Sequence, residues 1–135
     1  MSGKRILVVD DEPFVCETVR LLLSFDGHEV VTALSGREAL EKFGTADFDL
    51  VITDYSMPEM KGDELGMLIK ERSPRQPVVL ITAYAEMLRG DNAPVRGVDM
   101  MISKPFLLEH LRDAILRTTG QPTNGPGTVP PTKAG

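Results

Sequence analysis

Apolar residues along this chain follow two alternating patterns. Short runs rich in β-branched residues, at 6–9, 29–33, 50–53 and 78–81 with a weaker one at 99–103, read as buried strands. Between them, apolar residues recur at helical spacing. Val15, Val19, Leu22 and Leu23 form one stripe after Pro13, whose missing N–H suits the first turn of a helix. Gly27 stops that helix. Ala39, Leu40 and Phe43 form the next stripe, opened by Ser35 with Glu38 at the capping-box position and ended by Gly44. Leu65, Leu68 and Ile69 mark a helix over 62–72, and Leu108, Leu111 and Ile115 mark one over 106–117. Between Thr82 and Asp99 the breakers Gly90, Asn92, Pro94 and Gly97 allow at most a short helix around 85–89.

Strands alternating with helices imply parallel βαβ units with right-handed crossovers, hence an α/β, doubly wound, five-stranded parallel sheet with helices on both faces. The folded domain is expected over 1–119. Residues 120–135 are a Gly/Pro/Thr tail with almost no apolar content, expected to be a disordered terminus or a linker.

Composition narrows the function classes. At 135 residues the chain holds one domain with a proper core, and its 41% hydrophobic and 26% charged residues are ordinary for a soluble protein. The net charge is -5 and the Lys and Arg residues are dispersed, so direct nucleic-acid binding is not expected. No apolar stretch approaches a membrane span, and MSGKR runs into a strand without a signal-peptide core. Cys16 is the only cysteine, which fits a reducing compartment, and its place on an apolar helix face makes it a core residue. A cytoplasmic location is expected. His28 and His110 lack partners at ligand spacing and are expected on the surface.

The polar exceptions carry the chemistry. Asp10 and Asp11 follow the first strand, Asp54 the third, Thr82 the fourth and Lys104 the fifth. In a parallel sheet all strand C-termini share one edge, so these residues must converge there, where α/β proteins place their ligands. Clustered carboxylates repel and need a cation to stay ionised at neutral pH. All-oxygen ligands favour a hard ion, and Mg²⁺ with retained waters suits a site of few carboxylates. Such an ion beside a carboxylate nucleophile neutralises charge on a transferring phosphoryl group. Lys104 adds a compact positive charge and Thr82 a hydroxyl donor, so Asp54 is expected to become an aspartyl phosphate. Taken singly, each residue has a plainer reading. Asp10 and Asp11 could cap a helix, Asp54 could serve a turn, Thr82 a strand end, and Lys104 could be a solvated lysine. Four such coincidences at four strand ends make the joint functional reading the better one.

The segments VVDDE, ITDYSMPEMKG, VVLITAY and SKPF resemble the signature segments of bacterial two-component response-regulator receiver domains, with matching spacing over about residues 4–118. The resemblance implies the flavodoxin-like strand order 2-1-3-4-5. It further implies Asp54 as phospho-acceptor, Asp11 as direct Mg²⁺ ligand (Mn²⁺ being an alternative ion), and Asp10 as an acid acting largely through water. The backbone carbonyl of Ser56 matches the remaining protein ligand. Thr82 matches the switch hydroxyl, Lys104 the phosphate-binding lysine, and the Lys104–Pro105 bond is typically cis in the family. Receiver domains often place a switch aromatic where this chain has Met101, which adapts to inward or outward slots but has no hydroxyl. That departure, with the broken fourth helix, leads us to expect a mobile 85–97 segment that metal or phosphoryl binding orders. Ser56 and Tyr84, each two residues past a site residue, are expected to influence how long a phosphoryl group survives.

Two other classes compete. An aspartyl-phosphate phosphatase of the haloacid-dehalogenase type needs a second acid two residues after the nucleophile, where this chain has Ser56. A flavodoxin-like cofactor binder needs a phosphate-cradling loop after the first strand, where this chain has acids. The expectation is therefore a signalling switch rather than a dedicated enzyme. Its partners would be a histidine kinase or phosphotransfer protein upstream and a protein effector downstream. The chain itself would be a monomer or a weak phosphorylation-linked dimer.

Overall fold

A computed structural model describes residues 3–88 and 95–120. The order is β1 (Arg5–Val9), α1 (Pro13–Phe25), β2 (Glu29–Ala33), α2 (Gly36–Phe43), β3 (Leu50–Asp54), α3 (Gly62–Arg72), β4 (Val78–Thr82), α4 (Ala85–Leu88), β5 (Met100–Ser103) and α5 (Leu108–Thr119). All strand pairings are parallel and the sheet order is β2-β1-β3-β4-β5, the flavodoxin-like arrangement. Every residue of β3 and β4 is buried. Central strands covered on both faces are apolar throughout rather than alternating, which is why their sequences read as continuous runs.

Alternate residues of the strands feed two cores. Ile6, Val8, Leu50, Ile52, Val79 and Ile81 pack against Cys16, Val19 and Leu23 of α1 and Leu111, Ala114 and Ile115 of α5. On the other face Leu7, Val9, Val51 and Val78 pack against Ala39 of α2 and Leu65 and Ile69 of α3. Cys16 is buried, as its helical position implied. Leu68, placed on the α3 stripe by its spacing, instead borders solvent, because Gly66 supplies part of the inward face. There the backbone approaches closely: Gly97, at φ +79, sets its carbonyl oxygen 2.2 Å from where a Cβ on Gly66 would sit.

Several boundaries differ from the sequence expectation. β3 and β4 each run one residue further, through Asp54 and Thr82, because the ladder continues to the Asp54–Ile81 and Thr82–Ser103 pairs. β5 begins at Met100, since the Asp99 carboxylate accepts from the Val78 N–H and from Lys70 Nζ, both at 2.8 Å, and bends the chain. α5 starts at Leu108 rather than 106, where His110 Nδ1 accepts the Leu107 N–H at 2.8 Å. It passes 117 because the Thr118 and Thr119 hydroxyls donate to the Ala114 and Ile115 carbonyls, and left-handed Gly120 then ends it. α4 is a single short turn, as the breakers implied. Residues 89–94 of the segment expected to be mobile, and residues 121–135 of the tail, lie outside the described residues.

His110 is exposed, but His28 is not the free surface residue its isolation suggested. It is half-buried, and its Nδ1 accepts the Lys4 N–H at 2.9 Å, joining the starts of β1 and β2. An accepting nitrogen cannot be protonated without losing that bond. Burial holds the imidazole below its usual pKa, while nearby Asp26 pulls it up and Lys4 pushes it down. The unfolded chain therefore binds more protons than the folded one below neutrality, so stability from this group is present at pH 7 and is lost as pH falls. Denaturant titrations at pH 7.5 and 5.5 should show the wild type losing about 1 kcal/mol more than His28→Asn, which keeps an acceptor that does not titrate.

Candidate functional site

The C-terminal edge of the sheet gathers the expected residues. The Asp10 N–H donates to the Ala33 carbonyl at 3.1 Å, which keeps the residue on the sheet after β1 ends. Its Oδ1 accepts the Glu12 N–H at 2.9 Å, holding the carboxylate under the start of α1. The Cys16 thiol, 3.3 Å from the Asp10 carbonyl, packs behind it. One oxygen each from Asp10, Asp11 and Asp54 lies within 4.8 Å of the others. Asp10 and Asp54 are buried to 5% exposure, whereas Asp11 is open to solvent. Two oxygens on opposite sides of a Mg²⁺ ion sit about 4.2 Å apart, so this donor set fits such a small hard cation with modest side-chain adjustment.

The loop after β3 is shaped from both ends. The Tyr55 N–H donates to the Ile81 carbonyl at 2.9 Å, and the Gly62 N–H returns to the Tyr55 carbonyl at 3.0 Å. Gly62 has to be glycine here, because a Cβ would lie 2.3 Å from the Asp54 carbonyl oxygen. Met57 anchors the loop in the core beside α2 and α3, and Ser56 is exposed two residues past Asp54.

Lys104 follows β5 directly, and its N–H extends the ladder to the Thr82 carbonyl at 2.9 Å. The Lys104–Pro105 bond is cis. Lys104 Nζ lies 2.6 Å from Asp54 Oδ1. Burial works against the ammonium charge, but the bond to Asp54, with the charges of Asp10 and Glu12, outweighs it and raises the pKa. Thr82 is 1% exposed, and its Oγ1 accepts the Tyr84 N–H at 2.9 Å. That bond uses a lone pair of the hydroxyl and not its proton. Met101 is half-buried on β5 beside Leu80.

Asp10, Asp11, Asp54 and Lys104 thus meet at one rim, with Thr82 at the adjoining strand end, Ser56 in the loop above and Met101 on the strand behind. Two contributors escaped the sequence reading. Glu12 adds charge facing Lys104, a role its place in VVDDE could have signalled. The Cys16 thiol on the Asp10 carbonyl had no signal beyond its core position. Among the described residues, no helix is long and apolar enough to cross a membrane.

The family model described as "Response regulator receiver domain" matches residues 6–116. Response regulator MprA of Mycolicibacterium vanbaalenii is 38% identical over 130 residues, covering 91% of this chain and 54% of that protein. Transcriptional regulatory protein GlrR of Escherichia coli is 37% identical over 117 residues, covering 85% of this chain and 26% of that protein. The chain therefore spans only about a quarter to a half of these relatives. Among solved structures, Thermotoga maritima response regulator TrrA, in complex with Mg(2+)-BeF, aligns with TM-score 0.77 and 36% identity over 85% of this chain and 98% of that one. Vibrio cholerae chemotaxis protein CheY4 aligns with TM-score 0.76 and 32% identity over 87% and 99%.

Burial pushes the Asp10 carboxyl up to about 6; the Glu12 N–H works against this and the neighbouring Asp54 adds to it. A folded-state pKa above the unfolded value of 3.8 means that ionised Asp10 destabilises the fold. That penalty is absent below pH 3.8 and complete above about 6. Without divalent cations, Asp10→Asn should therefore be more stable than the wild type at pH 7.5, by about 2 kcal/mol in denaturant titration, with the difference vanishing near pH 4.

Proposed function

The chain belongs to the response regulator receiver domain family, and from that premise we propose that it is a phosphoryl-accepting switch whose acceptor is Asp54. The observation that carries this is the 2.6 Å approach of Lys104 to Asp54 inside a rim of three carboxylates. An Asp54 oxygen attacks the phosphorus of a phosphohistidine on a histidine kinase or phosphotransfer protein. The O–P bond forms as the N–P bond breaks, and the imidazole, already protonated on its other ring nitrogen, leaves neutral with the electron pair of the broken bond. Asp10, Asp11, Asp54 and the Ser56 carbonyl would hold Mg²⁺, or Mn²⁺ in its place, which neutralises charge on the transferring group. Lys104 is positioned to follow the incoming phosphoryl oxygens and hold them as a point charge.

The response begins at Thr82. Its hydroxyl proton is available to a phosphoryl oxygen on Asp54, while its oxygen holds the amide of Tyr84 at the entry to α4. Turning the hydroxyl toward the phosphoryl group strains that amide contact and shifts the α4 turn, with Met101 filling whichever slot opens. The output is altered binding of a protein effector in the cytoplasm. The chain accelerates its own phosphorylation and dephosphorylation without being a dedicated enzyme.

Acetyl phosphate with Mg²⁺ should add the mass of one phosphoryl group to the intact chain, and Asp54→Asn should reduce that labelling to background. Lys104→Arg should keep the labelling but lose the phosphorylation-dependent change in amide exchange over residues 83–88. Undiminished labelling of the Asp54 variant rejects the acceptor assignment.

A further inference from the structure

The two buried acids of the rim, Asp10 and Asp54, are each gripped from behind through the main chain. The β1 ladder ends at Val9 and β3 ends at Asp54, and carbonyls at such ends must find donors beyond the ladder. For Asp54 the donor is the Thr53 hydroxyl, 3.0 Å from its carbonyl. For Asp10 it is the Cys16 thiol, 3.3 Å from its carbonyl. The same thiol lies 3.5 Å from the Ala33 carbonyl, which accepts the Asp10 N–H. Cys16 therefore bridges the two peptide units that flank Asp10. Both donors are enclosed, Thr53 at 0% and Cys16 at 3% exposure. Packing alone does not call for them. Thr53 follows the aliphatic run Leu50–Ile52, where valine would fill the same space without desolvating a hydroxyl. Cys16 sits in the inward stripe of α1 between Val15 and Val19, where any small apolar residue would serve.

We propose that Cys16 and Thr53 are positioning residues for the cation-binding rim, holding the backbones of Asp10 and Asp54 in register against the repulsion of their carboxylates. This rests on the metal site proposed above and names what prepares it. With no cation between them, the acids push the ends of β1 and β3 apart. Donors fixed in the core oppose that push, so an arriving ion meets oxygens already gathered. Neutral donors suit the task. A cationic side chain in the same place would compete with the ion for the carboxylates, whereas a thiol and a hydroxyl act only on the carbonyls behind them.

Calorimetric titration of the 135-residue chain with MgCl₂ tests this. Cys16→Ala and Thr53→Val should each weaken Mg²⁺ binding roughly fivefold. Cys16→Ser and Thr53→Ser, which keep a donor, should bind within about twofold of the wild type. Val19→Ala, one turn along the same buried stripe, should lose stability in denaturant yet keep its Mg²⁺ affinity. The S–H stretching band in the infrared, which arises from Cys16 alone, should shift on Mg²⁺ addition in the wild type but not in Asp54→Asn. Wild-type affinity in Cys16→Ala and Thr53→Val overturns the inference, as does an equal loss in Val19→Ala. An S–H band that ignores the metal removes the thiol from it. Asp54→Asn separates the two levels. If it binds Mg²⁺ like the wild type, the metal site itself falls and this inference with it; if it loses Mg²⁺ while the donor variants do not, only this inference falls.

Discussion

Three carboxylates held within 4.8 Å of one another repel, and the fold must impose what their chemistry resists. It does so with backbone. The β1–β3 register sets Asp10 beside Asp54, the Glu12 and Ala33 bonds fix Asp10 from both sides, and Gly62 lets α3 start directly under the Asp54 carbonyl. Among the described residues Lys104 is the one opposing charge in contact, and it touches a single carboxylate. The surplus negative charge at the rim is what makes the place receptive to a cation.

The rest of the molecule serves that imposition. β3 and β4 are buried throughout, so the two strands that carry Asp54 and Thr82 are the least free to move. The helices that cover them contribute apolar area rather than chemistry. Mobility is left to the polar rim. Ser56, Tyr84 and Asp11 sit at solvent, while the groups behind them are locked in core packing or ladder bonds.

Much of this was legible in the sequence because a parallel sheet turns order into position. Once 50–53 and 78–81 read as strands, their polar successors had to share an edge, and strand direction alone brought Asp54 and Lys104 together. What stayed hidden depended on contacts that no local pattern encodes. Whether Leu68 faces in or out is settled by Gly66 and the approach of Gly97, far along the chain. The role of His28 arises from an amide 24 residues away. The starts of β5 and α5 moved because side chains, Asp99 and His110, took backbone hydrogens that propensity reserves for the element itself. The exposed apolar side chains of α1, Phe14, Leu21 and Phe25, were overlooked for a different reason. Periodicity reports one face at a time, and the inward stripe accounted for the helix.

The bare contact between Gly66 and Gly97 has a mechanical meaning. α3 is launched from beneath the Asp54 carbonyl, and Gly97 lies in the turn that leads into β5 and Lys104, so the two glycines draw the helix that follows Asp54 against the approach to the lysine's strand. Asp54 and Lys104 are thereby tied together from behind as well as through their own contact. Any rearrangement that follows a new charge on the rim is steered away from them, toward Tyr84 and the short α4 turn.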